Sequence, residues 1–485
     1  MEDSGPILLA FWHISLRELL FVIALGVTLS GLDDLFIDAV YFTRTLWRRL
    51  TIYTRHDRAS AESLRRFDPG PIAIFIPAWD EAAVIGAMLR FSLTHLDYDR
   101  YRIFVGLYPN DPEGRAAVAA VGDHRVQAVL CRRPGPTTKA DCLNRLWHAM
   151  LAREALVGER YKAVVLHDAE DVIHPQELWI YDALIPRLAM VQLPVLPLPD
   201  TGSRWISGHY ADEFAENHTK DMVVREALGA AVPSAGVACA IDRAALGMIA
   251  DRAGADAASH DSTGYDRPGP FNAASLTEDY ELGYRIKALG GRGALVRLRS
   301  GDEPVVVATR EHFPDNFDAA LRQKSRWLVG IALSGWDRIG WPGGLADRYL
   351  LLRDRKSLLA ALLTLLAYLA AVMVLIDIWL RQAYPMAAAL PPLAGRLVTA
   401  MLWFNAALLA WRLLMRAAFT AHAYGPIEGI RAIPRALTSN VINAAAAWSA
   451  ARRYHAIVRG NRAQTWDKTE HRFPPYDPRT PPTSQ

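Results

Sequence analysis

The chain contains 485 residues, of which 51% are hydrophobic and 22% are charged, and its formal net charge is +3. It is too apolar for an ordinary soluble enzyme and too polar for a protein that lies wholly in a bilayer, so a soluble domain joined to a few membrane spans is expected. The small net charge excludes a polyanion-binding surface over the whole chain, and we expect no nucleic-acid partner. The scattered cysteines match neither a zinc site nor a disulfide framework: Cys131, Cys142 and Cys239.

The first apolar stretch, residues 19–32, is uncharged and continues past Asp33 and Asp34 into Leu35. A helix that crosses the hydrocarbon core needs about 20 mostly apolar residues, so this stretch is marginal, and a buried core helix or an uncleaved signal segment is the alternative. No basic region precedes it, which argues against a cleavable signal peptide. We predict that residues 1–42 form an N-terminal segment with the first transmembrane helix.

Residues 70–335 alternate short apolar runs with helical patterns. Four of these runs predict strands, at 71–76, 102–107, 126–130 and 163–166. The repetition of strand, helix and strand predicts an α/β fold, with a doubly wound, mostly parallel sheet and helices on both faces. We expect this domain to occupy residues 43–356.

Acidic residues follow three of these strands, at the carboxyl ends where open parallel sheets bind their ligands. They are Asp80 and Glu81 after the first strand, Asp111 after the second, and Asp168, Glu170 and Asp171 after the fourth. Divalent Mg²⁺ and Mn²⁺ take oxygen ligands and usually pair one or two carboxylates with substrate phosphates. The first strand lacks the glycine-rich turn of a dinucleotide site, and no Walker lysine motif occurs. The pattern therefore predicts a phosphate site that is built on Mg²⁺ or Mn²⁺.

Two predicted helices begin with polar residues. One opens near Lys139 and carries Asp141 in its first turn. The other is preceded by Ser275, which is spaced from Glu278 as in a capping box. This spacing places Asp279 in the first turn of the helix, at its N-terminus.

A further amphipathic helix carries Gln323, Arg326 and Trp327. The arginine can neutralise phosphate, because its guanidinium is always charged. The tryptophan can stack on a sugar face, or it can anchor the domain at the membrane.

Two more apolar stretches lie at residues 358–376 and 397–411. The first is long enough to cross a membrane, and the second is marginal. Arginine and lysine residues cluster before the first of them and after the second, whereas the loop between them carries few. This distribution predicts an external N-terminus, a cytoplasmic domain, two transmembrane helices within residues 357–420 joined by a short outer loop, and an internal C-terminus.

Residues 425–454 mix apolar residues with arginines and asparagines, and they are too polar to cross a membrane. We predict a helix that lies in the headgroup plane, and a soluble surface helix is the alternative. Residues 473–485 contain five prolines, which predicts a disordered end. The segment 421–485 is therefore expected to be a cytoplasmic interfacial helix followed by a tail.

The motifs occur in an order that resembles the family 2 inverting glycosyltransferases, which include cellulose, hyaluronan and poly-N-acetylglucosamine synthases. The shared order is an Asp-rich turn, Asp-x-(Asp/Glu) after a strand, Thr-Glu-Asp, Gln-x-x-Arg-Trp and then membrane spans. Nearly the whole chain is more closely similar to membrane glycosyltransferases of the phage-adsorption (NfrB) type, on five stretches: Tyr108-Pro-Asn-Asp111, His167-Asp-Ala-Glu-Asp171, Asp212-Glu-Phe-Ala-Glu-Asn-His218, Pro233-Ser-Ala-Gly236 and Trp466-Asp-Lys-Thr469.

The resemblance implies a GT-A-like fold and a role for each site residue. The donor site would comprise Asp80, Glu81 and Asp111 at the uridine and ribose, Gln323, Arg326 and Trp327 at the diphosphate and acceptor, and Lys139 and Asp141 beside them. The family's Asp-x-Asp reads Asp168-Ala-Glu170-Asp171 here, so the second metal ligand after Asp168 is Glu170 or Asp171. Asp279 would be the general base, with Glu278 next to it.

The function that the resemblance implies is transfer of a hexose or N-acetylhexosamine from a UDP-sugar, with inversion, to a polysaccharide or lipid-linked acceptor. The enzyme would sit in a bacterial inner membrane among membrane lipids, with an envelope export partner. The alternatives are a non-processive polyprenyl-phosphate glycosyltransferase and a catalytically silent membrane receptor or scaffold. Members of the closer group often carry a cyclic-di-GMP-sensing domain, and the stretch after Trp466 is expected to be too short for one.

Overall fold

The computed structural model describes residues 4–258, 268–301, 305–384, 387, 390–460 and 472–474. The elements of the first half are α1 (Ser4–Thr51), β1 (Ile72–Pro77), α2 (Ala82–His95), β2 (Tyr101–Leu107), α3 (Pro112–Ala119), β3 (Val126–Leu130), α4 (Lys139–Val157), β4 (Ala163–Leu166), α5 (Glu177–Leu184), β5 (Met190–Gln192), β6 (Val195–Pro197), α6 (Ile206–Glu216), α7 (Met222–Ala227) and β7 (Cys239–Asp242). Those of the second half are α8 (Arg243–Ala258), α9 (Glu278–Ala288), β8 (Gly293–Leu295), β9 (Thr309–Glu311), α10 (Phe317–Leu328), α11 (Ser334–Ile339), α12 (Leu345–Arg355), α13 (Ser357–Ala383), α14 (Arg396–Tyr424) and α15 (Pro426–Val458).

A seven-stranded sheet in the order β3-β2-β1-β4-β7-β5-β8 forms the centre of the domain. Strands β1 to β4 pair in parallel, β7 runs antiparallel to both of its neighbours, and β8 is parallel to β5. Strands β6 and β9 form a small parallel sheet of their own. The predicted fold class, a mostly parallel α/β sheet of the GT-A type, is confirmed, and the four predicted strands are found within one residue of their expected bounds.

Helices cover both faces of the sheet because alternate residues of β1 point to opposite sides. Ile74 packs on one face in a buried cluster with residues of α2, and Phe75 packs on the other with residues of α4. Both faces of the sheet are therefore buried, which explains why the sequences of the parallel strands are mostly apolar. The carboxyl ends of β1 and β4 are left free to carry polar residues.

Among the residues that the structure describes, three helices are long and apolar enough to cross a membrane: α1 from Ile7, α13 and α14. They coincide with the three predicted apolar stretches, and α1 continues to Thr51. Its aspartates are tolerated because they are paired: Asp33 with Arg353, and Asp38 with Lys220, whose Nζ lies 2.5 Å from Asp38 Oδ1. Lys220 follows α6 and Arg353 lies in α12, so these ion pairs connect α1 to the α/β domain and to the helix that precedes α13.

Helix α15 folds back along α14 after Gly425, whose φ of +92° places it in the left-handed region. A Cβ at Gly429 would lie 2.7 Å from the Ala417 carbonyl oxygen, so glycine allows the two helices to approach closely. Apolar side chains at helical spacing are exposed along its outer face: Ile427, Ile430, Ile433, Leu437, Val441 and Trp448. An interfacial position for α15 remains a prediction, and the predicted disordered end lies outside the described residues apart from residues 473–474.

Candidate active site

An open cleft of about 1110 Å³, including solvent at its mouth, lies at the carboxyl ends of β1 and β4. Nine of the sequence-predicted site residues line it: Glu81, Lys139, Asp168, Glu170, Glu278, Asp279, Gln323, Arg326 and Trp327. The other four do not: Asp80, Asp111, Asp141 and Asp171. The cleft thus brings together residues that lie up to 246 positions apart, from Glu81 to Trp327, because the sheet gathers strand ends and helix starts at one edge.

Lys139 reaches the cleft from the first turn of α4. Its Nζ lies 2.6 Å from Asp168 Oδ1. Burial by itself lowers the pKa of the Lys139 ammonium, yet the surrounding carboxylates, with Asp168 foremost, raise it above its ordinary value. The lysine is therefore a permanent cation among carboxylates. Asp141, two positions later, points elsewhere and pairs with Arg133 at 2.9 Å.

The turn after β4 presents two of its three carboxylates to the cleft. Asp168 and Glu170 line the cleft, and Asp171 is fully buried behind them. Asp171 Oδ2 accepts from the backbone N–H of Asp168 at 3.0 Å and lies 2.7 Å from His167 Nδ1. Burial opposes the charged form of His167, but Glu177 and Asp171 raise its pKa to about 10. The geometry therefore places Glu170, and not Asp171, beside Asp168 in the cleft.

The start of α9 supplies two more carboxylates. Burial, and then the charge of Asp279, raises the pKa of Glu278 to about 7, and burial also raises the pKa of Asp279. A Cβ at Gly236, where φ is +81°, would lie 2.4 Å from Asp279 Oδ2, so only glycine leaves room for this carboxylate. The Pro-Ser-Ala-Gly stretch therefore shapes the pocket of Asp279.

The predicted capping box at α9 is wrong. The N-cap residue is Thr277, and its side chain makes no capping hydrogen bond. Ser275 lies two residues before the cap, where its hydroxyl donates to Glu281 Oε1 at 2.6 Å instead. Glu278 is consequently not held by a cap and faces the cleft.

Helix α10 forms another wall of the cleft through Gln323, Arg326 and Trp327. Gln323 Oε1 is buried and has no hydrogen-bond partner among the described residues, so a carbonyl acceptor is left for a ligand. Trp327 packs edge-on against Phe313, with ring centroids 6.4 Å apart. Its position in the cleft favours the sugar-facing interpretation over a membrane anchor.

Asp80 and Asp111 lie next to the cleft, where the Asp111 side chain accepts hydrogen bonds from the backbone. Asp111 caps α3 by accepting from the Gly114 N–H at 2.9 Å, and its other oxygen accepts from the Asp80 N–H at 3.1 Å. Asp80 has a φ of +56°, an unusual conformation for a residue with a side chain. These contacts hold the turn after β1 from which Glu81 projects into the cleft.

Sequence reasoning gave no site role to several other residues of the cleft, among them Thr138, Phe214, Glu311 and Phe313. Glu311 ends the three-residue strand β9, beside the antiparallel bridge between Val172 and Arg310. Burial, followed by the charges of the carboxylates after β4, raises its pKa well above the ordinary value. The only signal for it was a carboxylate after a valine-rich run, a pattern too short to separate from chance.

The donor set fits a divalent cation that is shared with a phosphate ligand. In the parts of the chain that the structure describes, no three histidine, cysteine or acidic side chains are placed to hold a metal ion together. Magnesium and manganese, however, are usually held by one or two carboxylates plus substrate phosphates. Asp168 and Glu170 offer that pair, and the repulsion among the cleft carboxylates would be relieved by a cation.

Comparison with known proteins agrees with this architecture. The family model described as "Glycosyltransferase like family 2" matches residues 69–330. The chain is 37% identical over 486 residues to bacteriophage adsorption protein B of Escherichia coli K12 and to bacteriophage N4 adsorption protein B of E. coli O157:H7. In both cases 96% of this chain is covered, and it spans 63% of the relative's length.

Solved structures are more distant. A mannosyltransferase from Pyrobaculum calidifontis in complex with GDP-Man and Mn²⁺ is 18% identical with a TM-score of 0.49, covering 86% of this chain and 99% of that one. Glucosyl-3-phosphoglycerate synthase from Mycobacterium tuberculosis is 17% identical with a TM-score of 0.35, covering 60% and 86%. Neither of these two similarities indicates which ligand this chain binds. The family model, in contrast to them, matches more than half of the chain. The chain belongs to the glycosyltransferase-like family 2.

Proposed function

We propose that the protein is a membrane glycosyltransferase that transfers a hexose or an N-acetylhexosamine from a UDP-sugar, with inversion, to a polysaccharide or lipid-linked acceptor. The observation that carries the proposal is the shared cleft, in which the carboxylates after β4 and those at the start of α9 lie around Lys139. The carboxylates after β4 suit a metal ion that is bound to a diphosphate, and those at the start of α9 suit proton transfer. A displacement at an anomeric carbon needs both within one site.

On the donor side, Asp168 and Glu170 would hold Mg²⁺ or Mn²⁺. A bound divalent cation neutralises diphosphate charge and so improves it as a leaving group. Lys139 and Arg326 donate to phosphate oxygens, because charged donors make the stronger bonds to anions. Trp327 offers an apolar face to the sugar ring. Glu81 lines the same cleft, and Asp80 and Asp111 hold the turn that carries it.

On the acceptor side, Asp279 accepts the proton of the acceptor hydroxyl. The hydroxyl oxygen forms a bond to the anomeric carbon while the bond from that carbon to the diphosphate oxygen breaks, and the electron pair leaves with the nucleoside diphosphate. Attack on the face opposite the leaving group inverts the anomeric centre. Gln323 Oε1 is available to orient a sugar hydroxyl through a hydrogen bond.

The three apolar helices support a bacterial inner-membrane setting with the catalytic domain in the cytoplasm, where nucleotide-sugars are made. An acceptor that is lipid-linked, or a growing glycan, would approach along the membrane-proximal side. Synthesis of an exopolysaccharide or cell-envelope glycan, with an envelope export partner, follows from that setting. The narrower alternative is a non-processive polyprenyl-phosphate glycosyltransferase, which the count of three candidate spans in the described part of the chain favours.

A membrane receptor or scaffold without catalysis is a candidate of another class. It is favoured by one observation, namely that the two relatives are named for bacteriophage adsorption. The cleft argues against it, since a scaffold has no use for a cationic lysine among buried carboxylates.

The deciding experiment measures nucleoside diphosphate release from membranes that contain the full-length protein, with a panel of UDP- and GDP-sugars and added Mn²⁺. Release with a UDP-sugar, and its loss in Asp279→Asn, supports the proposed transferase. Product size then separates a polymer from a single transfer. If the folded protein releases no nucleoside diphosphate with any donor, the result would favour the receptor or scaffold without catalysis.

A further inference from the structure

His167 links the end of β4 to α5 through two buried ion pairs. Its Nδ1 lies 2.7 Å from Asp171 Oδ2, and its Nε2 lies 2.8 Å from Glu177 Oε1. All three side chains are 0% exposed. Ionised carboxylates only accept hydrogen bonds, so the ring donates from both nitrogens and cannot rotate without losing both bonds.

Asp171 transmits this fixed position to the turn before it. Its Oδ2 accepts from both His167 and the Asp168 backbone N–H, the latter at 3.0 Å. Its other oxygen, Oδ1, has no hydrogen-bond partner among the described residues. The carboxylate is therefore oriented through Oδ2 alone, and the imidazole is the side chain that holds it.

We propose that His167 is a positioning residue for the metal-binding turn: through Asp171 it fixes residues 168–171, from which the two proposed metal ligands project into the cleft. The inference rests on the proposed function, and it assigns Asp171 to the support of the turn instead of to the metal. Mutation of the partners that orient metal ligands typically weakens metal binding. The competing explanation is a buried ion-pair chain that stabilises the fold only.

The test measures Mn²⁺ binding to the purified full-length protein by electron paramagnetic resonance, with UDP and in parallel with GDP. His167→Gln keeps a polar side chain but loses the second donor and the charge. We expect its Mn²⁺ affinity to fall by about 10–100-fold, the range known for such partners. Excess Mn²⁺ should restore turnover, because the residues of the cleft outside this turn are unchanged.

His174→Gln is the matched control. His174 is another buried histidine of the same segment, 1% exposed, and its Nδ1 accepts from the Gln176 N–H at 3.2 Å. We expect a lowered melting temperature and wild-type Mn²⁺ affinity in this variant. If His167→Gln does not fold, Glu177→Gln, which keeps its shape and loses only the acceptor charge, replaces it with the same expected direction.

Wild-type Mn²⁺ affinity in folded His167→Gln or Glu177→Gln would overturn the inference and leave the proposed transferase intact. Equal losses in His167→Gln and His174→Gln would also overturn it, because general damage would then explain both. If the wild-type protein itself binds no Mn²⁺ with either nucleotide, the proposed metal site and the inference fail together.

Discussion

Lys139 Nζ lies 2.6 Å from Asp168 Oδ1, so the first residue of α4 is bound to the first carboxylate after β4. The pair joins two elements that flank the cleft. Because the lysine is charged and only partly exposed, it is placed to exchange its carboxylate partner for a phosphate oxygen when a donor binds.

We therefore expect Lys139→Met to weaken UDP binding by about 10–100-fold, since hydrogen bonds to charged groups contribute about 1.5–3 kcal/mol. Calorimetric titration of the purified protein with UDP measures the effect. Arg133→Gln is the control: Arg133 pairs with Asp141 outside the cleft and is 64% exposed, so UDP affinity should stay within about twofold of the wild type. Equal affinity in Lys139→Met and wild type would remove Lys139 from the donor site.

Turnover should depend on a divalent metal that is held by Asp168 and Glu170. Excess EDTA is expected to abolish sugar transfer, and Mn²⁺ or Mg²⁺ added afterwards should restore it. Asp168→Asn and Glu170→Gln should each raise the Mn²⁺ concentration needed for half-maximal turnover, because each loses an anionic ligand. Full activity in EDTA, or an unchanged metal requirement in both variants, would contradict this assignment.

The sequence predicts the central strands well because buried parallel strands are short, uninterrupted apolar runs. It also predicts which side chains meet at the strand ends, since parallel strands end at one edge. It fails where side-chain direction matters: Asp141 stands two positions after Lys139, about 200° around the helix, so the two cannot both face the cleft. Glu311 was missed because its strand has three residues, and no local pattern reports on its pairing with Pro197, which lies 114 positions earlier in the chain.

Orientation in the membrane can be read from cysteine labelling, because the native cysteines of this chain are all buried. Pro392→Cys lies in the loop between α13 and α14, and Ala120→Cys lies on the exposed end of α3. Arginine and lysine residues concentrate on the domain side of the spans, and because cytoplasmic loops carry an excess of these residues, we expect that side to face the cytoplasm. An impermeant maleimide added to intact cells should label the first variant and spare the second. The reverse result would put the cleft outside, away from nucleotide-sugars.

Stability should fall with rising pH because of Glu278. Burial, and then the charge of Asp279, raises its pKa from 4.5 to about 7 in the folded protein. A carboxyl group with a raised folded pKa favours folding fully below its unfolded pKa, and this contribution is lost as the pH rises through the folded pKa. The melting temperature of the wild type should therefore decline relative to Glu278→Gln between about pH 4.5 and 7. A constant difference between the melting temperatures of the two proteins across that window would contradict the raised pKa of Glu278 in the folded protein.

Asp279 is the residue on which the proposed transfer depends most. An inverting transfer needs a base on the acceptor side, and the Asp279 carboxylate lines the cleft without serving as a helix cap. Burial raises its pKa, which makes the ionised form a better proton acceptor, whereas its bond from the Tyr280 N–H at 2.7 Å favours the ionised form. Positioned proton transfer contributes about 10²–10⁴-fold in rate.

Asp279→Asn keeps the shape of the side chain and removes its basicity. Turnover should fall by about 10²–10⁴-fold while UDP affinity changes little, because the proposed binding of the diphosphate involves other residues. A purely structural role predicts the opposite pattern, a melting temperature lowered by the loss of about 1 kcal/mol with near-normal turnover in the folded fraction. Turnover, UDP binding and melting temperature measured on one preparation separate these cases. Retained turnover with a lowered melting temperature would assign the proton transfer to another carboxylate of the cleft, with Glu278 as the nearest in sequence.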